Sequence, residues 1–159
     1  MKTIKKKKVD IFWLLEVLKM ESHSNLVLDL INLIENGNIL LSFAFTQPIE
    51  EKISSLKNRL LFALQNGKIS ESNYAESENE LNQIKNVSSG DFITIISIQT
   101  EKWIFKTFWK REKQFLGIIR FPSPRNISEQ IKEYKHLELS GHKIEETEFE
   151  KMINKSTFD

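Results

Sequence analysis

Residues 100–114, TEKWIFKTFWKREKQ, interleave aromatic rings with cationic side chains. Rings can stack on bases and cations can bind phosphates, so this pattern is compatible with nucleic-acid binding. A β-strand would instead divide the same residues between two faces, because successive side chains of a strand point in opposite directions. One face would then carry Trp103, Phe105, Thr107 and Trp109, and the other Ile104, Lys106, Phe108 and Lys110.

The alternation predicts a buried aromatic face and a solvated, mixed cationic face for this strand. Single-strand binders need exposed aromatics beside their cations, and only Phe108, with Trp109 at the strand end as a further candidate, meets that requirement. The candidate partner-binding residues are Lys106, Phe108, Lys110, Arg111, Lys113 and Arg120. We expect them to contact either a protein or a nucleic acid.

Other chemistry finds little support in residue types and spacing. The three histidines, His23, His136 and His142, have neither helical nor turn spacing that would bring them together, and the chain has no cysteine. We therefore predict no metal site. There is no G-x-S-x-G or S-x-x-K pattern, and the five glycines are isolated rather than grouped into a phosphate-binding loop. The sequence thus predicts no catalytic residue and no cofactor.

The carboxylates offer no clear acid–base or metal-binding pattern. Asp91 begins a predicted strand, but the next acidic–basic pair, Glu101 and Lys102, is adjacent in sequence. Adjacent strand residues point to opposite faces and cannot share one metal. Asp10 and Glu16 lie in an apolar helical context, where a narrow solvent-exposed stripe is sufficient to accommodate them.

The composition predicts one globular domain, since 159 residues with 40% hydrophobic content are enough for a core. The absence of cysteine fits a reducing compartment, and charged residues interrupt the one segment that resembles a signal peptide. No apolar run is long enough to span a membrane. We expect a cytoplasmic protein. The net charge of +1 gives no global field that would favour nucleic acid.

Helical periodicity and capping residues predict the α-helices. An apolar segment at 9–20 follows a basic, flexible tip at residues 1–8, and a second helix at 24–36 ends at Gly37. Pro48 begins a third, amphipathic helix that ends at Asn66-Gly67, and a weaker fourth covers 71–86. Two further helices are expected at 126–139 and 145–154.

Strands are predicted near 39–46, 91–100, 102–109 and 114–121, the last three as a meander because their connections are short. Gly117 inside the last strand indicates a bulge or a close backbone approach. Helices and strands are segregated along the chain, which indicates α+β. We expect a single α+β domain over residues 9–155, with an antiparallel three- to four-stranded sheet packed against five to six helices.

The functional hypothesis is a non-enzymatic protein that binds another protein and inhibits or neutralises it, as inhibitors, immunity proteins and antitoxins do. It rests on apolar surface at 11–20 and 26–34 that one domain of this size need not cover completely. The alternative is a nucleic-acid-binding protein that uses the basic–aromatic hairpin at 102–120. Homo-oligomerisation is compatible with either hypothesis.

Overall fold

Five antiparallel strands form one sheet in the computed structural model, which describes residues 5–21, 24–87, 92–110 and 114–123. The strands are β1 (Lys5–Lys8), β2 (Leu41–Pro48), β3 (Phe92–Gln99), β4 (Trp103–Lys110) and β5 (Gln114–Pro122). They neighbour one another in chain order, and each neighbouring pair is antiparallel. The predicted antiparallel sheet is confirmed, with β1 as an additional strand.

Two helices connect β1 to β2, and two connect β2 to β3. They are α1 (Ile11–Met20), α2 (Asn25–Glu35), α3 (Ile49–Gln65) and α4 (Glu71–Val87). The described residues thus contain four helices, fewer than the five to six expected. The helices predicted at 126–139 and 145–154 lie outside the described residues.

The first strand comes from the lysine-rich tip. Lys5 is paired with Thr46 and Lys8 with Phe43, so backbone pairing with β2 holds this segment extended. Residues 1–8 were expected to form a basic, flexible tip, and the four consecutive lysines of β1 show no apolar alternation that predicts a strand. Pairing between segments far apart in sequence decides the conformation here.

Local signals explain where the helices begin and end. The Asp10 carboxylate accepts hydrogen bonds from the backbone N–H groups of Phe12 (3.0 Å) and Trp13 (3.2 Å), which caps α1. Gly37, just past α2, has a φ of 70°, a left-handed conformation that side chains disfavour. Pro48 is the residue that precedes the first turn of α3 rather than the first helical residue.

Two apolar cores cover the two faces of the sheet. On one face, α1 and α2 pack against Ala44, Ile96, Ile98, Phe105, Trp109 and Ile118. On the other face, α3 and α4 pack against Phe45, Ile93, Ile95, Ile104, Phe108, Ile119 and Phe121. The described residues therefore form one domain with three layers, in which the sheet lies between two helical pairs.

Candidate binding surfaces

The predicted cationic face of β4 is buried. Lys106 and Phe108 lie on the same side as Ile104, against α3 and α4, and their exposed fractions are 2% and 0%. The prediction of a solvated face around these two side chains is wrong, because helices cover this side of the sheet as well as the other. Neither side chain is accessible to a partner in the folded chain.

The buried ammonium group of Lys106 has a polar neighbour across the sheet. Its Nζ donates a hydrogen bond of 3.1 Å to Ser97 Oγ, and Ser97 is the residue paired with Lys106 on β3. A buried charge is costly unless hydrogen-bonded groups compensate it. We therefore assign Lys106 a structural role inside the sheet–helix interface.

The remaining candidate residues do not join Lys106 on one surface. Lys110 is partly exposed at the end of β4, while Arg111 and Lys113 lie outside the described residues. Arg120 pairs with Phe105, whereas Lys106 pairs with Ile119, so Arg120 lies on the opposite face of the sheet. The predicted set is thus divided between two faces.

Arg120 instead lines a cleft at the β5 side of the sheet. Its guanidinium carbon lies 4.1 Å above the centroid of the Trp103 ring, and its Nη1 lies 3.6 Å from Asp29 Oδ2 on α2. The cleft has a volume of about 230 Å³ and lies between α2 and α4. Its lining residues are Asn25, Leu26, Asp29, Ile69, Asn73, Glu76, Ser77, Trp103 and Arg120.

A second surface is the outward side of α1. Phe12 and Met20 are exposed to 81% and 84%, and Trp13 to 37%. Phe12, Glu16 and Met20 follow one another at four-residue intervals and are all exposed. We call Phe12, Trp13 and Met20 the α1 apolar surface.

Aromatic contacts connect the α1 apolar surface to the core. The rings of Trp13 and Trp109 have centroids 5.7 Å apart, and Trp109 meets Phe115 edge-on at 5.2 Å. Trp109 Nε1 donates to Thr107 Oγ1 at 2.7 Å, and that hydroxyl donates to the Ile96 carbonyl at 3.0 Å. This aromatic series holds the beginning of α1 in a fixed position on the sheet.

Apolar side chains are also exposed elsewhere. Leu28 on α2 is 45% exposed, and Leu61 and Phe62 on α3 are each 40% exposed. Val87 and Phe92, which precede and follow the segment 88–91, are 55% and 56% exposed. None of these reaches the exposure of Phe12 or Met20, which makes α1 the leading apolar surface among the described residues.

The titratable side chains of the described residues show no arrangement for binding a metal ion. Within residues 5–21, 24–87, 92–110 and 114–123, no cluster of three or more histidine, aspartate and glutamate side chains is arranged to hold a metal ion. The three histidines and Asp91 lie outside these ranges.

Tyr74 donates a hydrogen bond of 2.8 Å to Glu78 Oε2. This hydrogen bond, together with burial and the charge of Glu78, raises the pKa of the Tyr74 phenol. No helix in the described part of the chain has the length and apolar content needed to cross a bilayer.

The features of the candidate surfaces that sequence reasoning missed are the cleft and the position of Arg120 on the face opposite to Lys106. The signal for Arg120 was its alternation with Ile119 on β5, which places these neighbours on opposite faces. No sequence pattern predicts that α2 and α4 line one cleft with Trp103.

Comparison with known proteins gave no match to a protein-family model, to a curated protein or to a solved structure.

Proposed function

We propose that this chain is a non-enzymatic protein that binds another protein through the α1 apolar surface and thereby inhibits or neutralises it. The observation that carries the proposal is the exposure of Phe12 and Met20, each above 80%, on a helix whose other side packs in the core. Large apolar side chains exposed on one side of a helix are typical of interaction sites. The fixed position of Trp13 against Trp109 lowers the entropic cost of presenting this surface.

The magnitude of the available binding energy follows from burial. Covering a Phe or Met side chain that was exposed contributes about 1.5–3 kcal/mol. Phe12 and Met20 together would therefore supply about 3–6 kcal/mol of gross binding free energy. That is enough to make them energetic anchors of an interface, which aromatic residues often are.

The nucleic-acid alternative loses part of its basis. Lys106 and Phe108 were two of its six residues and are buried under α3 and α4. Arg120 lies on the opposite face of the sheet, and Arg111 and Lys113 lie outside the described residues. We therefore propose the protein-binding function alone.

The experiment compares captured proteins for the wild type and two matched double variants. Phe12→Ser/Met20→Ser removes the α1 apolar surface, and Leu61→Ser/Phe62→Ser removes two partly exposed apolar side chains from α3. A photo-crosslinking residue at position 16, between Phe12 and Met20, is expected to form an adduct with a defined partner after nuclease treatment. The first variant is expected to weaken binding of that partner about 100-fold, and the second to leave it unchanged.

Two results would contradict the proposal. In one, both double variants capture the same proteins as the wild type while their circular dichroism shows that they are folded. In the other, light scattering gives twice the 18.7 kDa monomer mass for the wild type and the monomer mass for Phe12→Ser/Met20→Ser. The second result would assign the surface to self-association.

A further inference from the structure

The cleft between α2 and α4 shares no residue with the α1 apolar surface, so it is a separate candidate binding site. Its lining is mostly polar and includes one cationic side chain, Arg120, and two carboxylates, Asp29 and Glu76. Ser77 on α4, which is 8% exposed, adds a hydroxyl. Such a mixture of donors and acceptors suits a small polar ligand rather than an apolar one.

Arg120 can recognise an anion. Its guanidinium carbon lies over the Trp103 ring, and its N–H groups are the polar contacts that it can offer to a ligand. A guanidinium can bind a carboxylate through two parallel hydrogen bonds. Its distance to Asp29, 3.6 Å, is longer than a hydrogen bond.

The charges of the cleft indicate what the rest of the ligand must carry. Asp29 and Glu76 would repel a simple anion that approaches Arg120. A ligand with an ammonium group beside its carboxylate satisfies both signs at once, because the ammonium can pair with these carboxylates. The volume of about 230 Å³ limits the ligand to a small molecule.

We propose that this cleft binds a small zwitterion of the class to which free amino acids belong. Arg120 receives the carboxylate, and Asp29 and Glu76 receive the ammonium group. The ligand separates Arg120 from Asp29 and replaces their long ion pair with shorter, charge-assisted hydrogen bonds. This binding does not require the proposed protein-binding function.

The test is calorimetric titration of the full chain with individual proteinogenic amino acids, and with the matched carboxylic acid and amine that each lacks one charged group. The expected result is binding of at least one amino acid, with the two analogues at least about tenfold weaker. Arg120→Gln and Glu76→Gln are each expected to weaken binding about tenfold or more. Glu50→Gln, which removes an exposed carboxylate from α3 outside the cleft, is expected to leave binding unchanged.

Trp103 supplies a second readout that locates the ligand. Binding is expected to change the tryptophan fluorescence of the wild type, and Trp103→Phe is expected to remove that change while keeping an aromatic ring beneath Arg120. The inference is overturned if no amino acid binds. It is also overturned if the carboxylic acid analogue binds as tightly as the amino acid, or if Glu76→Gln, folded like the wild type, binds unchanged.

Discussion

Replacing Gly117 by alanine should have opposite effects on stability in two backgrounds. The Glu80 side chain of α4 reaches the backbone of β5, where its Oε1 accepts a hydrogen bond of 3.3 Å from the Ile118 N–H. A Cβ at position 117 would lie 2.3 Å from the same oxygen and 3.0 Å from Ile84 Cδ1. Glycine at 117 thus allows the carboxylate to approach the strand that ends the sheet order.

Two opposing contributions set the change in unfolding free energy that Gly117→Ala causes in the wild type. Alanine is favoured over glycine inside a strand by about 0.5–1 kcal/mol. Against this, the new methyl group displaces the flexible end of Glu80 and breaks its bond to Ile118, which for a charged acceptor costs about 1.5–3 kcal/mol. We expect Gly117→Ala to lower the free energy of unfolding of the wild type by about 1 kcal/mol.

In the Glu80→Ala background, the carboxylate that the new methyl group would meet is absent. There Gly117→Ala is expected to raise the free energy of unfolding by about 0.5 kcal/mol, because only the methyl end of Ile84 has to move. Other interactions of Glu80 cancel in this double-mutant cycle. Urea denaturation gives the free energies, and hydrogen exchange at the Ile118 amide is expected to lose protection in both single variants. If Gly117→Ala stabilises both backgrounds equally, the close approach of Glu80 does not depend on this glycine.

Three further predictions concern helix capping, the buried lysine and the tyrosine. Asp10→Ala should lower the free energy of unfolding by about 1 kcal/mol and Asp10→Asn by less, since asparagine also caps helices; thermal denaturation of the two variants checks this. Lys106→Glu should cost about 3 kcal/mol or more in urea denaturation, whereas Lys110→Glu, at a partly exposed position, should cost clearly less; equal losses would contradict the burial of Lys106. The raised pKa of Tyr74 favours the protonated phenol in the folded state, so its stabilisation is present below the ordinary value of 10.0 and is lost as pH rises through the folded-state pKa. Alkaline titration of tyrosine absorbance should lose its high-pKa component in Tyr74→Phe and shift it downward in Glu78→Gln.

Much of the secondary structure could be predicted because its signals are local. For α1, the apolar character of the segment placed the helix within two residues of its observed start, although Asp10, expected inside the helix, is its N-cap. For β3, β4 and β5, short connections and β-rich composition gave the meander. Gly117 was expected to mark a bulge or a close backbone approach, and the register of β4 and β5 shifts beside it, between Phe108 and Trp109.

The burial of Lys106 could not be predicted from alternation alone. Alternation assigns residues to faces, but what covers each face depends on where the preceding helices pack. One signal for double burial was available in β3, whose run of isoleucines is typical of a strand covered on both sides. Ser97 within that run places a hydroxyl opposite Lys106.

The order of the connections explains why candidate sites lie where they do. The helices α1 and α2 connect β1 to β2, and α3 and α4 connect β2 to β3. The two helical pairs cover opposite faces of the sheet. The middle of β4 therefore contributes side chains to both cores, with Phe105 in one and Phe108 in the other. Within the described residues, a partner or ligand can meet this domain only on the outer sides of the helices and at the ends and edges of the sheet. Phe12 on α1 and Arg120 on β5, which belong to the two proposed sites, occupy two such positions, and they suit different binding partners because one presents an apolar ring and the other a guanidinium group.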